Sequence, residues 1–230
     1  MGKKLYRYEY PHPAVTMDSL VFSFDGKKLR VLLIERGNEP YKGKWAFPGG
    51  FLNMDESCEA GALRELEEET GLTGVHLEQF HTFSQPGRDP RERIVTVSYY
   101  ALTGVLEAHA GDDAAKARWF DLDKVPPMAF DHNEMLQVGL KHLRERVRLE
   151  PIGMDILPTA FTISQLRKLY EAVLGRKINQ RQFRKRMLRT GLLVPLDEQA
   201  VTDFETARTL YRFDEKRYLQ IKQEGFEGKM

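Results

Sequence analysis

The segment Arg64-Glu65-Leu66-Glu67-Glu68-Glu69-Thr70-Gly71-Leu72 is where residue types and spacing first point to chemistry. At about 100° per residue, a helix here places Glu65, Glu68 and Glu69 within one arc of about 100° and turns Glu67 away. Like charges stacked at these spacings cost ~0.2–0.5 kcal/mol per pair in an isolated helix. A divalent cation reverses that cost, because Mg²⁺ takes hard carboxylate oxygens and shares its remaining positions with water and phosphate. Gly61, one turn before Glu65, leaves the same face bare and gives a phosphate room to approach. Gly49 and Gly50 let backbone come close to such a site. The plain alternative is a solvated acidic face.

Two further groups of residues suggest ligands. Between Arg176 and Arg189 there are seven Lys and Arg and no acidic residue in 14 positions. With Phe183 facing inward, Arg181, Lys185 and Arg189 lie outward one turn apart, and Arg184 flanks them. Such a face enters a DNA groove or grips phosphates, or else it solubilises a packing helix. A polar loop from Gln85 to Arg93 carries Arg88, Arg91 and Arg93. Arginines suit a diphosphate through paired N–H donors, although a solvated hairpin loop has the same composition. The histidines show no metal-ligand spacing, and Cys58 reads as a small residue on a packed helix face.

These groups need elements to hold them. Ala14–Phe24 is β-branched and aromatic, and Asp25-Gly26 turns it into Leu29–Ile34 as a hairpin. Pro48-Gly49-Gly50 precedes a helix from about Glu56 to Thr70, which Gly71 stops. Val75–Phe83, Ile94–Leu102 and Arg118–Asp121 read as strands, and Asp131 is placed to cap a helix running towards Val147. Strands interleaved with two helices argue for a mixed sheet covered on its faces. Further on, Thr162-Ile163-Ser164-Gln165 is a capping box. Leu166, Leu169, Tyr170 and Val173 then repeat at helical spacing up to Gly175. Asn179 starts a second helix that carries Phe183 and Met187 and stops at Gly191. That is the helix-turn-helix pattern, with Leu192–Val194 and Thr209–Phe213 available as a wing.

Charge divides the chain in the same place. Residues 1–150 hold 20 Lys and Arg against 24 Asp and Glu, whereas residues 151–230 hold 15 against 10. The boundary expected at Glu150-Pro151-Ile152-Gly153 separates an acidic unit from a basic one. No stretch approaches the ~20 apolar residues of a membrane span. A single cysteine excludes an internal disulfide, and Met1 to Tyr6 contain no apolar signal core. A reducing cytoplasm and no membrane partner are the expectation.

The spacing is more specific than any of these readings. Gly50, Glu56, Arg64-Glu65-Leu66, Glu67, Glu68-Glu69, Thr70 and Gly71-Leu72 occupy 23 residues that fit the Nudix box without a departure. The chain resembles the Nudix hydrolase family. The resemblance implies an α/β/α sandwich and hydrolysis of a nucleoside diphosphate linked to another moiety. By matching positions it implies that Glu65, Glu68 and Glu69 hold Mg²⁺ (Mn²⁺ being an alternative), with the Gly49 carbonyl as a further ligand. Arg64 would orient the glutamates, Glu56 would brace the approach to the helix, and Glu68 would serve as base.

Ser84-Gln85-Pro86 matches the opening of a motif of NADH-cleaving Nudix enzymes, but Gly87-Arg88-Asp89 departs from its aromatic continuation. Arg88–Arg91 with Val95–Leu102 is more similar to Nudix-related transcriptional regulators and their ADP-ribose-binding relatives. Those regulators join a Nudix domain to a winged helix, which Phe161–Leu166 and Phe183–Arg186 also resemble. Two functions follow. One is a Mg²⁺-dependent hydrolase of ADP-ribose carrying a winged helix that binds duplex DNA. The other is a regulator that senses a sugar nucleotide with little or no hydrolysis. The complete set of glutamates favours the first, and a homodimer suits both.

Overall fold

The computed structural model describes residues 8–109, 114–200 and 208–224. Strand β1 (Ala14–Phe24) is buried from Thr16 to Phe24 and forms the centre of a seven-stranded mixed sheet. It pairs antiparallel with β2 (Leu29–Arg36), the expected hairpin partner. Strand β2 also carries β3 (Trp45–Ala46) and β7 (Ala114–Asp121). On its other side β1 runs parallel to β6 (Ile94–Thr103), which pairs in turn with β5 (Glu78–Phe83). Short β4 (Gly49–Phe51) lies antiparallel to the start of β1, with Asp18 opposite Gly49.

Side chains alternate along a strand, so β1 feeds two cores. Met17 and Val21 pack with Ala62 and Leu66 of helix α1 (Cys58–Thr70). Leu20, Phe22 and Phe24 pack with Met135, Leu136, Leu140 and Leu143 of helix α2 (His132–Leu149). This is the expected α/β/α sandwich. Helix α1 begins at Ser57, whose hydroxyl accepts from the Ala60 amide, and ends at Gly71 in the left-handed conformation at φ 70°.

The second unit is a winged helix. Helix α3 (Ile163–Leu174) carries the expected capping box between Thr162 and Gln165. Helix α4 (Gln180–Arg189) packs against it through Tyr170 and Phe183, whose rings meet edge to face at 5.3 Å. Strands β8 (Leu193–Ala200) and β9 (Arg208–Phe213) form the wing, and Phe161 adds a bridge to Tyr211. Helix α5 (Glu215–Glu224) was not expected, and neither were β3 and β4. The two strands are too short for alternation to register, and α5 offers the core only the single turn of Tyr218 and Ile221 in a mostly polar segment.

The segment from Glu150 to Gly153 is packed from both sides. Tyr218 donates its hydroxyl to the Pro151 carbonyl at 2.7 Å, and the Ile152 amide donates to the Tyr170 hydroxyl at 3.1 Å. Arg144 of α2 donates to the Val173 carbonyl at the end of α3, at 3.2 Å. One apolar cluster runs from Leu20 across this segment to Tyr170 and Phe183. Among the described residues, no helix is long and apolar enough to cross a membrane.

Candidate functional site

Arg64 is the hub of the acidic helix. It forks onto Glu56 with Nε at 3.0 Å and Nη2 at 2.7 Å, while Nη1 reaches Glu65 at 2.8 Å and Glu68 at 3.0 Å. Glu56 also accepts from the Asn53 amide at 2.8 Å, so it joins the loop to the helix as expected. These donors hold its carboxyl down at about 2, with Arg64 the larger cause. Glu65 and Glu69 experience the opposite. Burial pushes the Glu65 carboxyl above its ordinary range against the pull of Arg64. Burial pushes Glu69 up to about 8, against a hydrogen bond from the Gly49 amide at 2.8 Å. Glu67 is exposed and turned away, in agreement with the helix phase.

The donor chemistry fits a divalent cation. Two partly desolvated carboxylates, Glu65 and Glu69, share the helix face with a third, Glu68, that is 57% exposed and paired with Arg64. Among the described residues, no three such groups converge closely enough to hold an ion, and Arg64 engages Glu65 and Glu68. Gly50 faces this set, and a Cβ there would strike the Glu65 carboxylate. Gly61 does something other than expected. A Cβ at Gly61 would meet Met17 and the Glu56 carboxylate, so its bareness lets α1 sit close on β1 rather than admitting a phosphate.

Beneath the site lies a buried polar group that the sequence reading did not assign. Asp18 is 7% exposed, and burial pushes its carboxyl up to about 7. His132 stacks on Phe47 and accepts from the Phe47 amide through Nδ1 at 3.0 Å, leaving its Nε2 3.9 Å from Asp18. Burial lowers the imidazole to about 3, so it is neutral. The available signal was an acidic residue inside an apolar strand, Thr16-Met17-Asp18-Ser19-Leu20.

The three loop arginines separate. Arg88 has a side chain only 5% exposed and forks onto Asp131 at 2.7 and 2.8 Å, with Thr96 as a further partner. Its donors are engaged inside the fold by Asp131 and Thr96 rather than presented from an open loop. The same pair corrects the reading of Asp131, which stands at the N-cap of α2 but makes no side-chain cap bond. Arg91 forks onto Asp89 and lies over the Phe51 ring, its guanidinium carbon 5.0 Å from the centre. Arg93 is exposed and donates to the Ile94 carbonyl at 3.3 Å, with no described contact to the acidic helix. On α4, Arg181, Arg184, Lys185 and Arg189 are all exposed, while Phe183 and Met187 are buried.

Comparison with known proteins assigns each of the two units to a known domain type. Residues 12–138 match the NUDIX domain model, and residues 153–213 match the NrtR DNA-binding winged helix domain model. The chain is 35% identical over 211 residues to the ADPR responsive transcriptional repressor NtrR of Acinetobacter baylyi, covering 89% of this chain and 84% of the repressor. It is 40% identical over 134 residues to the ADP-ribose pyrophosphatase of Methanocaldococcus jannaschii, covering 58% of this chain and 76% of that enzyme. The crystal structure of Shewanella oneidensis NrtR complexed with a 27mer DNA superposes with a TM-score of 0.74 at 28% identity, covering 89% of this chain and 95% of that one.

Proposed function

Because this chain belongs to the NUDIX family and carries an NrtR-type winged helix, we propose that it is an ADP-ribose-responsive, DNA-binding regulator whose Nudix unit retains a Mg²⁺-dependent hydrolase site. The observation that carries this reading is a complete glutamate set under Arg64 in one chain with the exposed row Arg181, Lys185 and Arg189. Glu65, Glu68 and Glu69 are the residues to hold Mg²⁺ or Mn²⁺, with the Gly49 carbonyl as a further ligand. When bound, the ion supplies charge neutralisation on a pyrophosphate and a lowered pKa for an attacking water. Arg64 keeps Glu65 and Glu68 on one side of the helix, and Glu56 keeps Arg64 in place. Glu68, the exposed carboxylate, takes the proton of the attacking water. Arg91 holds the diphosphate of the ligand.

The names of the relatives supply the ligand: one responds to ADP-ribose and another hydrolyses it. Duplex DNA is the second partner, gripped by the outward face of α4 with the wing beside it. A homodimer would present two such helices to the half-sites of a palindromic operator, in the cytoplasm. A sensor with little turnover is the second reading. It is favoured by the likeness of nearly the whole chain to a repressor that responds to ADP-ribose. The test is the full-length protein titrated onto its own promoter DNA with and without ADP-ribose, alongside a Mg²⁺-dependent hydrolysis assay. A shift in DNA affinity together with turnover supports the first reading, and a shift without turnover supports the second. DNA binding that ADP-ribose leaves unchanged refutes the responsive role.

A further inference from the structure

A cavity of about 530 Å³ opens where the two units meet, and it shares no residue with the acidic-helix site. Its walls are the start of β5, the end of β6, the last turns of α2, the connecting segment 150–156 and Tyr218 of α5. That volume lies in the ~300–1,000 Å³ range of small-molecule sites. The connecting segment is pinned from two directions. A Cβ on Gly104, just beyond β6, would press on the Ile156 carbonyl at 3.2 Å, so the two backbones lie in close contact. Tyr218 fastens Pro151 from α5 through the hydroxyl bond of 2.7 Å. The cavity is therefore built into the junction and does not depend on a loose loop.

Its polar lining is unbalanced. Glu78, Glu150 and Asp155 share the wall with one guanidinium, that of Arg146. A single nitrogen of Arg146, Nη2, serves both Glu78 at 2.7 Å and Glu150 at 2.9 Å, and Asp155 is exposed beyond them. His76, with a side chain 78% exposed, stands 3.9 Å from Glu78 at the edge. Two aromatic residues complete this part of the wall. Tyr100 donates its hydroxyl to Glu78 at 3.1 Å and Tyr218 donates to Pro151, so both have ring surface left to offer. Burial first, and then the charges of Asp155, Glu150 and Glu78, push the Tyr218 hydroxyl above its ordinary range. Leu143, Val147, Ile152 and Ile156 supply apolar wall.

We propose that this junction cavity binds a small organic cation, an ammonium on an apolar body, that lies against Tyr100 and Tyr218 with its charge towards Glu78, Glu150 and Asp155. Ring faces attract such a cation, carboxylates outnumber the one arginine, and the apolar wall takes the body. A phosphate-bearing ligand is repelled here, so the cavity is not a second seat for the ligand of the acidic-helix site. Because its walls come from both units, a bound cation holds them in one arrangement.

The full-length protein is titrated in excess Mg²⁺ by ligand-observed NMR, with benzyltrimethylammonium as the cation and with benzyl alcohol and benzoate as its neutral and anionic counterparts. The cation is expected to bind at least about tenfold more tightly than either counterpart. Asp155→Asn and Glu150→Gln should each weaken it about three- to tenfold. Tyr218→Phe keeps the ring and should bind as wild type does, whereas Tyr218→Leu should lose about three- to tenfold. Asp155→Asn alters an exposed side chain and decides the matter where Tyr218→Leu does not fold. Three results overturn the proposal: no binding of the cation, benzoate binding as tightly as the cation, or cation affinity unchanged in both Asp155→Asn and Glu150→Gln. Binding that Glu68→Gln weakens and Asp155→Asn does not would put the cation on the acidic helix, which also overturns it.

Discussion

Gly49 donates its amide to Oε2 of Glu69 at 2.8 Å, which ties the strand after Pro48 to the last turn of the acidic helix. The two glycines of that strand work differently. A Cβ on Gly49 would run into the Met17 carbonyl of β1, which is backbone and cannot swing aside. One on Gly50 would meet only the end of the Glu65 side chain, which can. Gly49→Ala is therefore expected to lose stability, by about 1–3 kcal/mol as for other overpacked sites. Gly50→Ala should keep its melting temperature and lose turnover by displacing Glu65. Denaturant unfolding and hydrolysis rates measured on both variants check the pair, and the reverse assignment would show that Glu65 is not a ligand.

The three glutamates make the same argument within one helix. Glu68→Gln and Glu69→Gln should each cut turnover by about a hundredfold or more, in the range of lost acid–base or metal function. Glu67→Gln should stay close to wild type, since its side chain is exposed and turned away. Equal losses in all three would contradict the observed helix phase.

What the sequence made legible was local. The glutamates share an arc because a helix has a fixed pitch, and Thr162 with Gln165 satisfy each other within three residues. The row on α4 was readable because Phe183 sets its inward side. The pairing of Arg88 with Asp131 was not, since the two are 43 positions apart and each has a common local role, one as a loop charge and the other as a cap. Asp18 acts through neighbours that only the folded sheet assembles. Helix α5 carries too little periodicity to be seen.

Arg88 and Arg91 should consequently fail in different ways. Removing Arg88 leaves Asp131 without its cation, and breaking such a buried pair costs about 3–5 kcal/mol. Arg88→Ala is expected to unfold early in urea. Arg91→Ala leaves the Arg88–Asp131 pair intact, although it takes the partner from Asp89, and should raise KM for ADP-ribose more than it lowers kcat, as loss of ground-state binding does. A stable Arg88→Ala protein whose only defect is KM would return Arg88 to the ligand.

Stability should depend on pH in the direction set by the buried carboxyls. Glu69 titrates at about 8 and Asp18 at about 7 in the folded protein. Both values exceed the ~4 of an unfolded chain, so the folded state retains protons that the unfolded state releases. Metal-free protein should therefore lose melting temperature as pH rises from about 5 through 8, and excess Mg²⁺ should recover part of the loss by replacing the Glu69 proton. Calorimetric scans across that range, with and without the ion, test this. A melting temperature that climbs with pH in the metal-free protein would mean that these carboxyls are charged throughout.

The outward row on α4 predicts how DNA affinity responds to salt. Arg181, Lys185 and Arg189 are exposed one turn apart, with Arg184 beside them and no acidic residue from Arg176 to Arg189. A side chain that neutralises one phosphate contributes ~0.9 to the slope of log K against log salt. Anisotropy titrations of full-length protein on promoter duplex, between ~50 and ~200 mM salt, should therefore give a slope about one unit shallower for any variant that loses such a contact. Lys185→Ala is expected to behave in that way on every sequence tested. An arginine that reads a base edge would instead keep most of the slope and relax preference at one position, at a cost of about 1–3 kcal/mol on the cognate site. Arg181→Ala and Arg184→Ala, assayed on promoter and scrambled duplexes, place each residue in one role or the other. If all these variants bind promoter and scrambled DNA as wild type does, the basic face of α4 serves solubility, and the winged helix is a packing module beside the Nudix unit.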